Sequence, residues 1–228
     1  MKYDFSGGSA FPVLRIELAQ GESVKAESGA MVAMSDGMKL TGKADGGILK
    51  GIARKFSGES FFMQHIEAEA ADGWVMLAAP MPGGVQAVEI SEGRQLTVQK
   101  TGFLAATQGI SVSTKVQSLT KGILSGEGLF VVKIAGEGTV FLASYGAIEI
   151  IDLQPGEKVL IDNGHLVAWD ADMKYSITKG AKTWLSAATS GEGFACRFEG
   201  PGRVMFQTRN PQALGGWIFP FLPIPRQG

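Results

Sequence analysis

The sequence predicts an all-β protein made of three tandem β-units. Three observations carry that expectation. Apolar residues fall in runs of four to six, often alternating with polar ones, which suits strands and is too short for globular helices. Thirty-two glycines among 228 residues punctuate those runs without a collagen period, so they mark turns. Two landmarks also recur. Gly21, Gly93 and Gly156 lie 72 and 63 residues apart, and the serines of three Ser-Gly-Glu triplets, Ser57, Ser125 and Ser190, lie 68 and 65 apart. A shared period of this length is the mark of a repeated supersecondary unit.

The plainest copy is Leu153 to Trp169, LQPGEKVLIDNGHLVAW, which reads as a hairpin about Asn163-Gly164. Leu18 to Met34 and Ile90 to Ala106 have the same grammar. No linker separates the passes, so a single domain over 1–210 is expected, with units of about 1–84, 85–146 and 147–210.

In the first unit, Leu14, Ile16 and Leu18 alternate with Arg15 and Glu17, a half-buried strand. Val24 to Ala26 and Met31 to Met34 follow, divided by Ser28-Gly29. Lys39 to Phe56 departs from the plan. Ile48, Leu49, Ile52 and Phe56 have helical spacing, but Gly46, Gly47 and Gly51 argue for no more than a short helical turn or an irregular excursion. Strands are then expected at Phe61 to Ala68 and Trp74 to Ala79.

The second unit offers Val85 to Ile90, Leu96 to Val98, Phe103 to Ala106 and Ile110 to Val112, an excursion at Lys115 to Leu124, then Leu129 to Ala135 and Val140 to Ser144. The third offers Ile148 to Leu153, Val159 to Ile161, Leu166 to Trp169 and Tyr175 to Thr178, an excursion at Lys179 to Thr189, then Phe194 to Phe198 and Val204 to Thr208.

Asn210 to Gly228 stands outside the plan. Trp217, Ile218, Phe219, Phe221 and Leu222 crowd among Pro220, Pro223 and Pro225, and those prolines argue against a regular helix or central strand. This much apolar surface calls for a cover, on its own body, a sister subunit or a membrane. The tail 211–228 is therefore the expected oligomer or membrane contact.

A net charge of −1 gives no bulk electrostatic reason to expect nucleic acid as a partner. Cys196 is the only cysteine, so no intrachain disulfide forms. The N-terminus lacks the apolar stretch of a signal peptide, and no window approaches the roughly 18 apolar residues of a membrane span. A soluble, cytoplasmic protein is expected.

Chemistry is harder to find. Gly37 to Ala44, GMKLTGKA, matches a phosphate-loop spacing but lacks the Ser or Thr that would hold magnesium and the helix that should follow. His165 stands where Ala30 and Phe103 stand, and His65 where Lys133 and Phe198 stand, so neither histidine recurs. Cys196 shares a column with Met63 and Val131, which suits a structural thiol better than a nucleophile. No Ser-His-Asp or Cys-His set assembles. Glu59, Glu127 and Glu192 do recur, within the Ser-Gly-Glu triplets. Around a pseudo-threefold axis they could ring a cation, yet local turn chemistry explains all three residue types. The excursions carry Lys50, Arg54, Lys55, Lys115, Lys121, Lys179 and Lys182, a sparse basic set that reads as solvated.

The glycine-punctuated strands, the three Ser-Gly-Glu turns and the tail TRNPQALGGWIFPFLP together resemble the altered-inheritance-of-mitochondria family over nearly the whole chain. Its bacterial members have no assigned activity. The resemblance implies a TRAP-like β fold of the double-stranded β-helix type, named for the tryptophan-responsive RNA-binding attenuation protein. Three such units would form one body with pseudo-threefold symmetry. It also implies assembly into a ring-like homo-oligomer, a trimer favoured, within a mitochondrial-biogenesis family whose mitochondrial relatives are linked to inner-membrane organisation. RNA binding does not follow, because fold does not fix function.

The expectation is a non-enzymatic scaffold or binding protein with no cofactor and an unknown ligand. The alternatives are a peripheral membrane protein that uses the tail and a metal- or small-molecule-dependent enzyme that uses Glu59, Glu127 and Glu192.

Overall fold

The computed structural model describes residues 1–44, 62–117, 129–179 and 194–223. The first strands are β1 (Lys2–Ser6), β2 (Val13–Leu18), β3 (Ser23–Glu27), β4 (Met31–Met34), β5 (Lys39–Ala44), β6 (Phe62–Glu67) and β7 (Gly73–Leu77). Next come β8 (Val85–Ile90), β9 (Leu96–Gln99), β10 (Phe103–Thr107), β11 (Ile110–Gln117), β12 (Leu129–Gly136) and β13 (Gly138–Ala143). The last are β14 (Ile148–Leu153), β15 (Lys158–Asp162), β16 (Leu166–Asp170), β17 (Lys174–Lys179), β18 (Phe194–Glu199) and β19 (Gly202–Gln207), followed by one short helix, α1 (Pro211–Ile218).

The strands form four antiparallel sheets, ordered β1-β2-β7-β4, β5-β6-β3-β10-β13-β8, β11-β12-β9-β16-β19-β14 and β15-β18-β17. Within them β7 joins β2 to β4, β13 joins β8 to β10, and β19 joins β14 to β16. Likewise β6 joins β3 to β5, β12 joins β9 to β11, and β18 joins β15 to β17. Two seams, β3 with β10 and β9 with β16, complete the two six-stranded sheets.

Three apolar clusters fill the spaces between successive sheets. Leu14, Ile16, Val75 and Leu77 of the first sheet meet Val24, Ile66 and Phe141 of the second. Val88, Phe103 and Val140 of the second meet Leu96, Val132 and Met205 of the third. Trp169 and Val204 of the third meet Cys196 and Phe198 of the fourth. This layering explains the sequence patterns. β2 alternates because one face is covered, whereas all five residues of β10 are buried because both its faces are covered.

The turn Asn163–His165 corrects the hairpin reading. It is a 3₁₀ turn capped by Asp162, whose carboxylate accepts from Gly164 N at 2.7 Å, and it carries the chain from the fourth sheet to the third. A two-residue hairpin of the favoured kind needs positive φ at Asn163, and no non-glycine residue described adopts it. The links from β3 to β4 and from β9 to β10 also cross between sheets.

Two strands were missed by the sequence pattern. β1 pairs with β2 from Lys2↔Glu17 to Ser6↔Val13, and Tyr3 stacks edge-on against Phe141 at 5.0 Å. β5 occupies the start of the first excursion, where a helical turn or irregular chain was expected. It pairs along β6, with Lys39 bridging Glu69 at 2.5 Å. Its only large apolar residue, Leu40, is exposed, so β5 is held by its ladder and gives little hydrophobic signal. The second and third excursions also begin as strand, since β11 runs to Gln117 and β17 to Lys179.

Candidate functional site

The carboxylates Glu59, Glu127 and Glu192 fall outside the described residues, as do Lys50, Arg54, Lys55, Lys121 and Lys182. Among the described residues no group of three His, Cys, Asp or Glu stands close enough to hold a metal ion.

Cys196 is buried beneath Trp169 and Phe198, where burial, helped by the charge of Asp162, pushes its thiol up to about 12. A thiol so held is almost wholly protonated at neutral pH and is a poor nucleophile. His165 is fixed through Nδ1 to the carbonyl of Gln207 at 2.7 Å, and Gln207 Nε2 in turn donates to the carbonyl of Gly164 at 2.9 Å. That network anchors the 3₁₀ turn to β19.

The tail is helical where the prolines argued against it. Pro211 occupies the first turn of α1, where its missing N–H costs nothing, and the Asn210 side chain caps the helix by accepting from Gln212 N at 2.9 Å. Pro220 lies beyond α1, in the 3₁₀ turn Phe219–Phe221. The prolines therefore bound the helix. No residue of α1 is buried, and Trp217, Phe219 and Phe221 are each more than two-thirds exposed, with the Trp217 and Phe221 rings 5.5 Å apart. Ile218 and Leu222 are exposed beside them.

A second apolar exposure went unnoticed in the sequence. β4 ends the first sheet and β15 ends the fourth, so each has one unpaired side. Each of β4, β10 and β16 carries a bulge, at Val32, Leu104 and Val167. Leu104 and Val167, next to the two seams, are 1% exposed, but Val32 is 58% exposed and Leu160 on β15 is 53% exposed. Val32 sits in an apolar run much like those around Leu104 and Val167, so only sheet order reveals it as an edge.

The model of the family described as mitochondrial biogenesis AIM24 matches residues 3–209. The chain belongs to the AIM24 family. An uncharacterized protein of Streptococcus pyogenes serotype M6 is 32% identical over 231 residues, which cover 98% of this chain and 92% of that one. A crystal structure of a Streptococcus pyogenes protein superposes with a TM-score of 0.83 at 31% identity, over 97% of this chain and 99% of that one. These AIM24 relatives bring no activity with them. The family match also stops at residue 209, so α1 with Trp217 and the turn with Phe219 and Phe221 lie beyond it.

Among the described residues no helix of this AIM24 chain is long and apolar enough to cross a membrane.

Proposed function

We propose that this AIM24 chain is a non-enzymatic scaffold or binding protein that joins copies of itself head to tail into a ring-like oligomer, with a trimer as the expected order. On this reading β2–β7, β8–β13 and β14–β19 are three copies of one six-stranded TRAP-like unit. The recurring ladders, the sheet-crossing turns and the bulges at matched positions support it.

The observation that carries the assembly is the exposed Val32 on β4, whose counterparts Leu104 and Val167 are buried at the seams. Each seam joins the second strand of one unit to the third strand of the next. The strands left over are β15 and β4, which are complementary by the same rule. Copying the register Ala105↔Ala26 and Ala106↔Lys25 sets Ala33 opposite Ile161 and Met34 opposite Leu160 of a second copy. Such a contact pairs two open edges and covers two apolar side chains, which favours association. It is heterologous, so it closes only as a ring or continues as a filament.

The test is light scattering on the full chain. Val32→Glu and Leu160→Glu are each expected to lower the mass to that of a monomer with the fold intact by circular dichroism. A parental protein that is already monomeric at tens of micromolar would overturn the assembly.

The exposed tail favours a second reading, peripheral contact with a membrane through Trp217, Phe219, Phe221 and Leu222. Failure of the full chain to sediment with anionic vesicles at low salt would eliminate it.

A further inference from the structure

Asn163-Gly164 is the one Asn-Gly pair in the chain, and no asparagine occurs in the links from β3 to β4 or from β9 to β10. In an open chain this pair is labile. The backbone nitrogen of the glycine loses its proton and attacks Cγ of the asparagine. A C–N bond forms, ammonia leaves, and a cyclic succinimide results. Water then opens the ring to aspartate or isoaspartate. Glycine speeds the attack because it has no side chain to shield its nitrogen and leaves the backbone free to rotate.

The fold opposes each of these requirements. Asp162 Oδ1 accepts from Gly164 N at 2.7 Å, so the proton that must leave is held by a carboxylate. The negative charge of that carboxylate also disfavours an amide anion beside it. Gln99 Nε2 donates to the carbonyl of Asn163 at 2.8 Å and to Asn163 Oδ1 at 3.0 Å, which pins the side chain that would be attacked. The carbonyl of Gly164 accepts from Gln207 Nε2 at 2.9 Å. Attack needs the ψ of Asn163 turned out of the helical range, and the 3₁₀ turn holds it within that range. A Cβ on Gly164 would run into the side chain of Asn210. Asn210 therefore stands where a side chain at 164 would stand, and it supplies the shield that glycine lacks.

We infer that Asn163 is a latent deamidation site, shut by Asp162, Gln99 and Asn210 while the turn is folded and reactive when the turn leaves β19. Conversion is one-way. Aspartate puts a second carboxylate next to Asp162, and isoaspartate lengthens the main chain by one carbon. Either change falls in the turn that carries the chain from the fourth sheet to the third. Isoaspartate also displaces the two acceptors that Gln99 holds, so an opened turn does not close in the same way again. The inference stands independently of the assembly proposed above, because all these residues belong to one chain.

The test is intact-mass spectrometry of the full chain during incubation at mildly alkaline pH, in native buffer and in urea. The only other asparagine, Asn210, precedes Pro211, which has no N–H to deprotonate, so conversion of asparagine reads residue 163. A peptide map assigns the mass gain, and enzymatic methylation counts the isoaspartate. The native chain is expected to convert at least about tenfold more slowly than the unfolded one, as loss of a charge-assisted hydrogen bond alone would give. Asp162→Ala and Gln99→Met are each expected to speed conversion in native buffer about threefold or more, with amide chemical shifts confirming that the β body stays folded. In the parental chain, conversion is expected to rise at urea concentrations below the global transition, because only the turn has to open. Native conversion as fast as that in urea would overturn the inference. So would parental rates in both variants, or conversion that rises only with global unfolding.

Discussion

Gly21, Gly93 and Gly156 each hold φ near +82°, and in each case a Cβ would meet nothing within 4 Å. The only obstacle to a side chain there is the left-handed backbone itself, which costs an L-residue about 1–2 kcal/mol. Gly93→Ala is therefore expected to lower unfolding free energy in urea by about 1 kcal/mol without changing the slope. Trp169 makes a different test. It is fully buried among Tyr175 and Phe198, with ring centroids at 5.3 and 5.5 Å, yet its Nε1 has no hydrogen-bond partner. Trp169→Ala is expected to cost about 3–5 kcal/mol. Trp169→Phe should cost clearly less in the same denaturation, because it keeps ring volume and removes the unsatisfied N–H. Glu27 titrates against its burial, which raises its carboxyl above the usual range, while the charge of Lys100 partly opposes the rise. A raised folded value means its neutral form fits the fold better. Its contribution is full at pH below the unfolded value and is lost as pH rises through the folded one. Glu27→Gln is thus expected to stabilise the protein at neutral pH and to make no difference at pH 3, as thermal melts across that range would read. None of these environments is visible from residue type alone, since a glutamate at the end of a strand is ordinarily solvated.

At the scale of elements, most strands were legible because a covered face imposes a period of two and a doubly covered strand imposes a continuous apolar run. β1 and β5 were not. β1 alternates only at Tyr3 and Phe5, both still exposed, and β5 is an edge of its sheet with one large apolar residue, so each leaves too short an apolar pattern to be read. On the proposed reading of three units, counting from the serines falls one residue out of step with the ladders in the third. Counting from the Ser-Gly-Glu serines set His65 and Lys133 against Phe198. The ladders place His65 opposite Lys25, Lys133 opposite Thr97 and Arg197 opposite Leu160, so Arg197 holds that slot. The same shift aligns Cys196 with Gln64 and Val132 rather than with Met63 and Val131. Helix α1 shows the limits of proline as a stop signal, because Pro211 begins a helix that Pro220 lies beyond. With no buried residue in α1, truncation after Pro211 is expected to leave the melting temperature of the β body unchanged. If the tail contacts a membrane, the same truncation abolishes vesicle sedimentation. An unchanged mass in light scattering would confine assembly to the strand edges.

For the molecule as a whole, four sheets enclose three cores, and the two outer sheets end in β4 and β15, each with one unpaired side. Head-to-tail joining makes a prediction that face-to-face pairing does not. Val32→Glu spoils β4 and leaves β15 intact, while Leu160→Glu does the reverse. Mixing the two variants is expected to give a one-to-one dimer by light scattering, held by the single intact pair of edges. Each variant alone should stay monomeric. An isologous contact would instead leave the mixture no heavier than its parts.

The sequence by itself determined the β class, the family and most strand positions. The class and the strands depend on local patterning and turn residues, and short-range sterics and burial write them directly into the order of residues, while the family rests on the resemblance of whole motifs. It also marked the tail as apolar. Tertiary structure decided which turns cross between sheets, that the tail begins as a capped helix, and which of three similar apolar runs has an open side. Val32, Leu104 and Val167 occupy nearly the same local sequence, and two are buried only because a strand far along the chain lies beside them. Exposure of that kind is a property of sheet order, and sheet order is set by contacts between residues distant in sequence.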